Sequence, residues 1–372
     1  MKAPPRLLIW SPVPTHHQSA FFAALRGRQV DLVVHYVERL DAERLQLGWR
    51  EYAALPPGEH YVSQSIRELE RCADWRVRTH IVPGYNRLFL LRLALRLSRE
   101  RVEWLHWSEH SYPRTRSTLT FGIKRAYGHL VNRHSRGALA IGDLAQREFV
   151  RWGISPDKIR FLPYAVEGFG KTPPTPRAAS DCGIRFLFLG SLYPGKGIDL
   201  LLRAFARVRE AYPDAQLELV GPDRSHGGYQ RDARLLGLGE AVRFTAAIEA
   251  PRVGEVLQRC DVLVLPSRHD GWGVVLNEAA SLGKALIASD ACGAAHHLVI
   301  PQRNGFRFPS GDSDALAAAM KAYCEHPALC ARHGAESLRV FGDFTPDRNA
   351  ERLVEALESL RAQTVAPSSS AA

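Results

Sequence analysis

The chain has 372 residues, of which 45% are hydrophobic and 24% charged, and its formal net charge at pH 7 is +10. This length fits two domains of common size, and the composition is typical of a folded protein rather than a disordered or fibrous one. No apolar run reaches the ~20 residues of a membrane-spanning helix, and the apolar run near the N-terminus is too short for a signal peptide. We therefore expect a cytoplasmic protein.

The positive charge is concentrated in the first half of the chain. Residues 1–180 contain 28 Lys and Arg against 16 Asp and Glu, whereas residues 181–372 contain 21 against 23. This asymmetry indicates an anionic partner for the first half, such as nucleic acid, an acidic membrane surface or a phosphate-bearing substrate. Because no nucleic-acid-binding motif is found, we do not expect nucleic acid to be that partner.

Six scattered cysteines form no CxxC pair, so the sequence predicts neither a disulfide framework nor a zinc site. We expect reduced, mostly buried thiols at all six positions. They are Cys72, Cys182, Cys260, Cys292, Cys324 and Cys330.

Short apolar runs alternate with longer amphipathic stretches along the chain, which predicts βαβ units around parallel sheets. In the first half, strands are predicted at 6–10, 30–37, 102–108, 136–142 and 158–164, with helices at 87–101 and 116–134. A Pro, Gly and Ser-rich segment at 169–183 is predicted to link two domains, 1–168 and 184–345.

The second half predicts a complete doubly wound domain. Its strands are expected at 184–191, 216–221, 242–246, 261–267 and 285–290, and its helices at 198–211, 251–260 and 273–283. A helix is expected within 346–364, and the last residues, 365–372, are expected to be unstructured.

Two loops of this second domain contain residues suited to ligand binding. In the first, a strand ends at Gly190 and a helix begins near Gly197, with Lys196 directly before it. Backbone N–H groups and an ammonium at a helix start suit a diphosphate. The alternative is that Gly195 and Gly197 only shape a tight turn and that Lys196 is solvated.

The second loop places Asp270 just before a predicted helix, and Glu278 lies in that helix eight residues, or about two turns, after Asp270, so both carboxylates can face one cleft. They could accept hydrogen bonds from a ribose diol and from sugar hydroxyls. The alternative is that Asp270 is a helix N-cap and Glu278 a solvated side chain.

Together the two loops resemble those of retaining family 4 glycosyltransferases of the GT-B type, over roughly residues 184–330. The resemblance includes a glycine-then-KG loop, a VG segment, an aspartate-led strand ending in PS and an acidic residue separated from a glutamate by seven residues. In this sequence these are Gly190 with Lys196 and Gly197, Val220 with Gly221, Asp261 to Ser267, and Asp270 with Glu278.

The resemblance implies an α/β fold of two Rossmann-like doubly wound domains facing a central cleft, with the helix at 347–360 crossing back to the first domain. It implies that Lys196 pairs with the donor diphosphate, Glu278 holds the ribose and Asp270 contacts the transferred sugar, as the catalytic residues. The donor-binding residues it implies are Gly190, Ser191, Lys196, Gly197, Val220, Gly221, Arg268, Gly271, Trp272, Gly273, Val274, Val275 and Glu278.

The chain departs from the family pattern at two positions. Asp270 stands where glutamate is common, so its carboxylate reaches about one methylene less far. Ser191 stands where many relatives have arginine, so one phosphate-neutralising cation is missing. We hypothesise that Arg268 replaces this cation if its side chain turns inward; otherwise it is an exposed arginine.

The first domain matches less well, and its acceptor-side candidates are His16, His17, Gln18, His106, Glu109 and His110. Residues 16–19 could hydrogen-bond an acceptor or could simply begin a capped helix after a proline-shaped turn. His106 and His110 lie beside a strand end, where a histidine is more often structural. Trp107 could stack on a sugar.

The implied function is that of a retaining, metal-independent, hexosyltransferase-like glycosyltransferase acting in bacterial cell-surface polysaccharide or glycolipid synthesis. A nucleotide-sugar donor and a glycan or lipid-linked acceptor are the implied partners, and no cofactor or metal is expected. The basic first half suggests reversible association with an anionic membrane surface. The alternatives are a nucleotide-sugar epimerase or phosphorylase of related fold, and a non-catalytic nucleotide-sugar-binding protein.

Overall fold

The computed structural model describes residues 4–41, 44–45, 54–84, 87–111, 118–169 and 183–363. The chain divides into two compact units, the first within residues 1–40, 51–165 and 346–372 and the second within 41–50 and 166–345. The N-terminal part of the first unit thus ends at 165, three residues before the predicted boundary. Residues 170–182 of the predicted linker and the predicted tail at 365–372 lie outside the described residues.

The first unit contains a seven-stranded parallel sheet with the strand order β3-β2-β1-β4-β5-β6-β7. The strands are β1 (Arg6–Ser11), β2 (Asp31–Tyr36), β3 (Glu59–Tyr61), β4 (Thr79–Val82), β5 (Trp104–Ser108), β6 (Gly137–Ala140) and β7 (Ile159–Phe161). The helices are α1 (His16–Gly27), α2 (Leu88–Arg99), α3 (Thr118–His134) and α4 (Asp143–Arg151). Short 3-10 helices cover Ile66–Arg71, Trp75–Val77 and Pro156–Lys158.

Helix α2 illustrates how the sequence builds the first core. Its apolar residues recur at spacings of three and four, so one face buries Phe89, Leu93 and Leu97 while Arg92 and Arg99 stay exposed. The buried face packs into a core that includes four tryptophans. They are Trp10, Trp75, Trp104 and Trp152.

The second unit contains a six-stranded parallel sheet with the order β10-β9-β8-β11-β12-β13. The strands are β8 (Arg185–Leu189), β9 (Gln216–Val220), β10 (Val242–Thr245), β11 (Val262–Leu265), β12 (Ala285–Ser289) and β13 (Gly305–Phe308). The helices are α5 (Ile198–Ala211), α6 (Gly228–Leu235), α7 (Val253–Gln258), α8 (Val275–Ser281), α9 (Ala295–Leu298), α10 (Ser313–Glu325) and α11 (Ala328–Phe341). The 3-10 helices are Pro194–Lys196, Gly239–Ala241, Ala250–Arg252 and Gly342–Phe344.

The last helix, α12 (Pro346–Ala362), groups with the first unit. Proline at its first position suits a helix start, where the missing N–H is not needed. The helix packs against α1 and β7, and Asn349 Nδ2 donates to Pro163 O at 2.6 Å. Arg361 Nη2 lies 2.8 Å from Glu103 Oε1, so both ends of α12 are held.

The structure differs from the predicted elements at several places. Strands β3, β4 and β13 are not predicted, and the helix expected at 251–260 is shortened to α7 behind a 3-10 turn. The described cysteines are free thiols, of which Cys260 and Cys292 are buried and Cys72, Cys324 and Cys330 partly buried; Cys182 is not among the described residues. Within the described ranges, no helix is both long and apolar enough to span a membrane.

Candidate active site

The candidate site of the second unit lies at the point of its sheet where the strand order reverses. Strands β8 and β11 are neighbours in the sheet although β9 and β10 separate them in sequence. In such sheets ligands bind at this switch point, beyond the carboxyl ends of the strands. At the amino ends of these two strands, Arg185 N donates a hydrogen bond to Asp261 Oδ2 at 2.9 Å. This hydrogen bond fixes the register of β8 and β11. The two predicted loops therefore emerge side by side.

Val220 ends β9, and Gly221 follows it; both lie against the first loop. Gly190 N donates to Val220 O at 2.9 Å, and Gly221 N donates to Thr245 O at 3.0 Å. A Cβ at position 221 would lie only 2.0 Å from Gly190 O, and its φ is +143°. Glycine is required at position 221 because the two strand ends approach so closely.

The first loop continues through the 3-10 helix Pro194–Lys196 to Gly197, whose φ of +70° is left-handed. A Cβ at Gly197 would lie 2.2 Å from Pro266 O, at the end of β11. The turn-shaping interpretation therefore holds for Gly197. It does not hold for Lys196, whose side chain is only 19% exposed.

Lys196 and Asp270 form an ion pair, with Lys196 Nζ 2.5 Å from Asp270 Oδ2. Burial alone would lower the pKa of Lys196, but the adjacent Asp270 carboxylate outweighs it, and the pKa is raised above its ordinary value. The ammonium therefore stays protonated through neutral pH. Two predicted catalytic residues, 74 positions apart, are thus brought together by neighbouring strands.

Asp270 is not a helix N-cap, because α8 begins at Val275 and Val274 occupies the cap position. The backbone at Asp270 is held by the loop that follows β12: Asp270 N donates to Ala291 O at 3.1 Å, and Gly293 N donates to Asp270 O at 3.1 Å. This supporting loop is not predicted from the sequence. The glycine at position 293 is the sequence feature that could have indicated it.

Glu278 is also not a solvated side chain, since it is 8% exposed on α8. The Trp272 ring is buried nearby, its Nε1 donates to Asn277 Oδ1 at 2.8 Å, and it stacks on His297. Hydrogen bonding within the helix begins with Leu276 N, which donates to Gly273 O at 2.9 Å. The N–H groups of the preceding residues, Val274 and Val275, are thus at a helix start and have no acceptor within the helix.

Arg268 does not turn toward Ser191. Its guanidinium is bidentate to Asp199 in the first turn of α5, at 2.7 and 2.8 Å, and also donates to Pro194 O at 2.7 Å. Burial opposes ionisation of Asp199, but Arg268 holds the pKa of that carboxyl below its usual range. Arg268 and Asp199 therefore brace the two loops against each other, a pairing that the sequence analysis missed.

The structure corrects two acceptor-side assignments in the first unit. His106 is fully buried, with Nδ1 3.1 Å from the Tyr127 hydroxyl and Nε2 2.8 Å from Ser108 Oγ, and burial lowers its pKa to about 3. Trp107 is 4% exposed, and its Nε1 donates to Leu162 O at 3.2 Å. Both residues belong to β5 and their side chains are buried, so they are not available to an acceptor.

The other first-unit candidates lie outside this core. Thr15 is the N-cap of α1 and its Oγ1 accepts from Gln18 N at 3.1 Å, while Gln18 Oε1 accepts from Ser11 Oγ at 2.9 Å. The capped-helix interpretation therefore describes this segment, with His17 partly exposed and the His16 side chain outside the described part of the chain. Glu109 is exposed and His110 partly exposed after β5. Their acceptor roles remain predictions.

Comparisons with known proteins agree with the fold, and a family match covers most of the second unit. The sequence profile of the family described as glycosyl transferases group 1 matches residues 180–340. A D-inositol 3-phosphate glycosyltransferase of Streptomyces avermitilis is 32% identical over 162 residues, covering 41% of this chain and 35% of that protein. A phosphatidyl-myo-inositol mannosyltransferase of Mycobacterium leprae is 30% identical over 210 residues, covering 55% of this chain and 54% of that protein. The chain thus spans about half the length, or less, of these relatives.

Among solved structures, Anabaena Alr3699/HepE in complex with UDP superposes with a TM-score of 0.73 at 17% identity, covering 96% of this chain and 100% of that chain. Similarity at this level of identity establishes the fold, which is GT-B, with two parallel-sheet α/β domains. The segment that matches the glycosyl transferases group 1 profile also contains the paired Lys196 and Asp270 and the buried Glu278.

Proposed function

We propose that this protein transfers a sugar from a nucleoside diphosphate-sugar donor to a glycan or lipid-linked acceptor, with retention of configuration at the anomeric carbon. The observation that carries the proposal is the ion pair of Lys196 with Asp270 at the switch point of the second sheet. A protonated amine held beside a carboxylate provides one group for a diphosphate and one for sugar hydroxyls.

Each group in this site has a separate task in donor binding. Lys196 has three N–H donors and shares one with Asp270, so the others can bind diphosphate oxygens. Glu278 accepts hydrogen bonds from the ribose diol, and Asp270 accepts from the transferred sugar. The backbone N–H groups from Gly271 to Val275 are directed to sugar and phosphate, and Val220 and Gly221 adjoin the base.

The proposed chemistry is front-side substitution. The bond between the anomeric carbon and the diphosphate oxygen breaks while the acceptor oxygen bonds to the same face, and the acceptor proton passes to the leaving diphosphate. The protein stabilises the negative charge that develops on the leaving group with preorganised donors. Because Lys196 supplies a fixed cation there, we propose that transfer needs no divalent metal.

The names of the relatives support an acceptor class. Two relatives are named for transfer to an inositol phosphate and to phosphatidyl-myo-inositol, and the Anabaena structure holds UDP. We infer a hexose donor and a phosphate-bearing or lipid-linked acceptor, consistent with bacterial cell-surface polysaccharide or glycolipid synthesis. A cytoplasmic enzyme that associates reversibly with the membrane would meet such an acceptor.

The decisive experiment incubates the protein with a panel of nucleotide sugars, with and without lipid-linked acceptors, and follows products by mass spectrometry and NMR. We expect free nucleoside diphosphate and a lengthened acceptor in equal amounts, an unchanged anomeric configuration, and full activity in excess EDTA. An isomerised nucleotide sugar would indicate an epimerase, a sugar phosphate would indicate a phosphorylase, and binding without products would indicate a non-catalytic protein. Activity that returns only with Mg²⁺ or Mn²⁺ would refute metal independence.

A further inference from the structure

The first loop of the donor site lacks a cation at Ser191, and a neighbouring loop places one there. The Ser191 side chain is buried, and its Oγ lies 3.5 Å from Nη2 of Arg224, which follows β9. Arg268, the substitute considered from sequence, is bidentate to Asp199 instead. Arg224 is thus the guanidinium that the structure brings to the position of Ser191.

The backbone holds Arg224 beside the first loop. Arg224 N donates to Leu192 O at 3.0 Å, Leu192 N donates to Pro222 O at 2.9 Å, and Leu192 and Asp223 form a parallel bridge. These contacts join the loop after β9 to the loop after β8. Arg224 therefore has a fixed backbone position beside the first loop, with its guanidinium next to Ser191.

The carboxylate next to Arg224 is engaged elsewhere. Asp223 Oδ1 accepts from Ser225 N at 2.7 Å, and Asp223 Oδ2 accepts from Gly227 N at 3.0 Å. Burial opposes its ionisation, but these hydrogen bonds and that from the Ser225 hydroxyl lower the pKa of Asp223. Its negative charge is therefore used to build the turn that precedes α6.

Tyr193 interacts with both Arg224 and Lys196. The guanidinium carbon of Arg224 is 5.5 Å from the centroid of the Tyr193 ring, a cation–π distance. The charge of Lys196 interacts electrostatically with the same side chain, and Lys196 N donates to Tyr193 O at 2.9 Å. Both cations therefore adjoin one aromatic residue of the first loop.

We propose that Arg224 binds the donor diphosphate together with Lys196 and so replaces the cation missing at Ser191. The inference rests on the proposed function, because it assigns a further residue to the same donor site. A planar guanidinium can form two parallel hydrogen bonds to phosphate oxygens, which a serine cannot. Arg224 therefore selects for nucleotides that carry a diphosphate.

The test compares binding of UDP, GDP and ADP with binding of uridine, guanosine and adenosine by isothermal titration calorimetry. We expect Arg224→Gln to raise the Kd of the preferred diphosphate 10- to 100-fold and to leave the Kd of its nucleoside within twofold. Arg224→Lys should fall between Arg224→Gln and the wild type. Arg243→Gln, which removes an exposed arginine from β10, is the matched control and should bind like the wild type.

The outcomes distinguish the failure of the role proposed for Arg224 from the failure of the proposed function. An unchanged diphosphate Kd in Arg224→Gln would overturn the role of Arg224 while leaving the donor site intact. An equal loss of nucleoside and diphosphate binding would also overturn it, since the residue would then only shape the loop. If the wild type bound none of the three diphosphates, the proposed function itself would fail.

Discussion

At the scale of single residues, the two adjoining loops contain two ion pairs that have different roles. Arg268 and Asp199 neutralise each other and connect the second loop to the start of α5. Lys196 and Asp270 also pair, but each keeps hydrogen-bonding capacity and lies at the switch point. The distinction cannot be made from sequence, because all four residues lie in similar loop or helix-start positions.

Replacing Lys196 by glutamine should reduce kcat/KM by about 100- to 1000-fold, because a positioned donor at a developing oxyanion contributes about 3 to 4 kcal/mol. Steady-state kinetics with the donor identified by the screen would measure this. Lys321→Gln, in α10 of the same unit, is the matched control. Wild-type turnover and donor affinity in Lys196→Gln would show that Lys196 only stabilises the loop.

Replacing Glu278 by alanine should abolish measurable transfer while leaving the fold intact. A charge-assisted hydrogen bond contributes about 1.5 to 3 kcal/mol, and a ribose diol can donate two to one carboxylate. Activity and circular dichroism of the variant would be compared with those of Glu255→Ala, an exposed glutamate of α7. Unchanged turnover would remove Glu278 from the site.

At the scale of elements, most of the described strands were predictable, but the edge strands β3 and β13 and the inner strand β4 were not. Strands β8 and β11 consist of the apolar runs RFLFL and VLVL, buried on both faces, and periodicity locates them within a few residues. Strands β3 and β13, EHY and GFRF, lie at sheet edges and are too short and polar to show a pattern.

The candidate site was predictable only in part. The motif residues of the two loops were found, because strand ends and helix starts mark them in the sequence. The neighbours Asp199, Arg224 and Gly293 were not, since their roles come from contacts between loops that no local spacing specifies.

The close approach of β9 to the first loop leads to a prediction about stability. Gly221→Ala should destabilise the second unit by roughly 2 to 4 kcal/mol, because the new Cβ would overlap Gly190 O and the φ is unfavourable for alanine. Urea denaturation would measure the loss. Gly342→Ala is the control, since nothing lies within 4 Å of its Cβ, and it should change stability by less than about 1 kcal/mol. Equal stability of the two variants would contradict the packing described here.

At the scale of the molecule, the first unit should be sensitive to acid. Burial lowers the pKa of His35 and His80 to about 4 and that of His106 to about 3. His80 Nδ1 accepts from Trp10 Nε1 at 3.1 Å, and its Nε2 lies 2.8 Å from Trp75 O, so the neutral ring is the form that fits. Protonation would place a proton where a lone pair is needed.

Because the unfolded chain takes up these protons near pH 6.5 and the folded unit does not, the free energy of unfolding should fall as pH decreases from about 6.5 to 4. Each histidine contributes up to about 3 kcal/mol over that range. Tryptophan fluorescence during urea denaturation at several pH values would show it. The exposed-site variant His226→Gln should show the same pH dependence, and a flat profile would contradict the prediction.

The basic surface of the first unit predicts salt-dependent binding to anionic vesicles. Exposed basic side chains lie on α2 and α3, namely Arg92, Arg99, Arg125 and Arg133. Three further basic residues of this region pair with carboxylates: Arg96 with Glu100, Lys124 with Glu148 and Arg136 with Glu103. Arg114 and Arg116 lie outside the described residues. Apolar side chains of α3 are exposed beside them: Leu119, Phe121 and Ile123.

Each basic residue near an acidic leaflet contributes about 1 kcal/mol, so several together can hold the protein reversibly. Co-sedimentation should show binding to anionic liposomes at low salt, release at high salt, and weaker binding by an Arg92→Gln and Arg99→Gln double variant. Arg243→Gln in the second unit is the control. Equal binding to anionic and neutral liposomes, or binding to neither, would exclude the idea.

The position of α12 has a consequence for biosynthesis. The first unit is discontinuous, because a helix from residues 346–362 completes it by burying Leu353, Leu357 and Leu360. During translation the strands of the first unit therefore leave the ribosome before the second unit, whereas α12 leaves it only after the whole second unit has been synthesised. The second unit can fold first. Until α12 has been synthesised, the nascent first unit exposes the apolar surface that α12 later covers, as chaperone clients do.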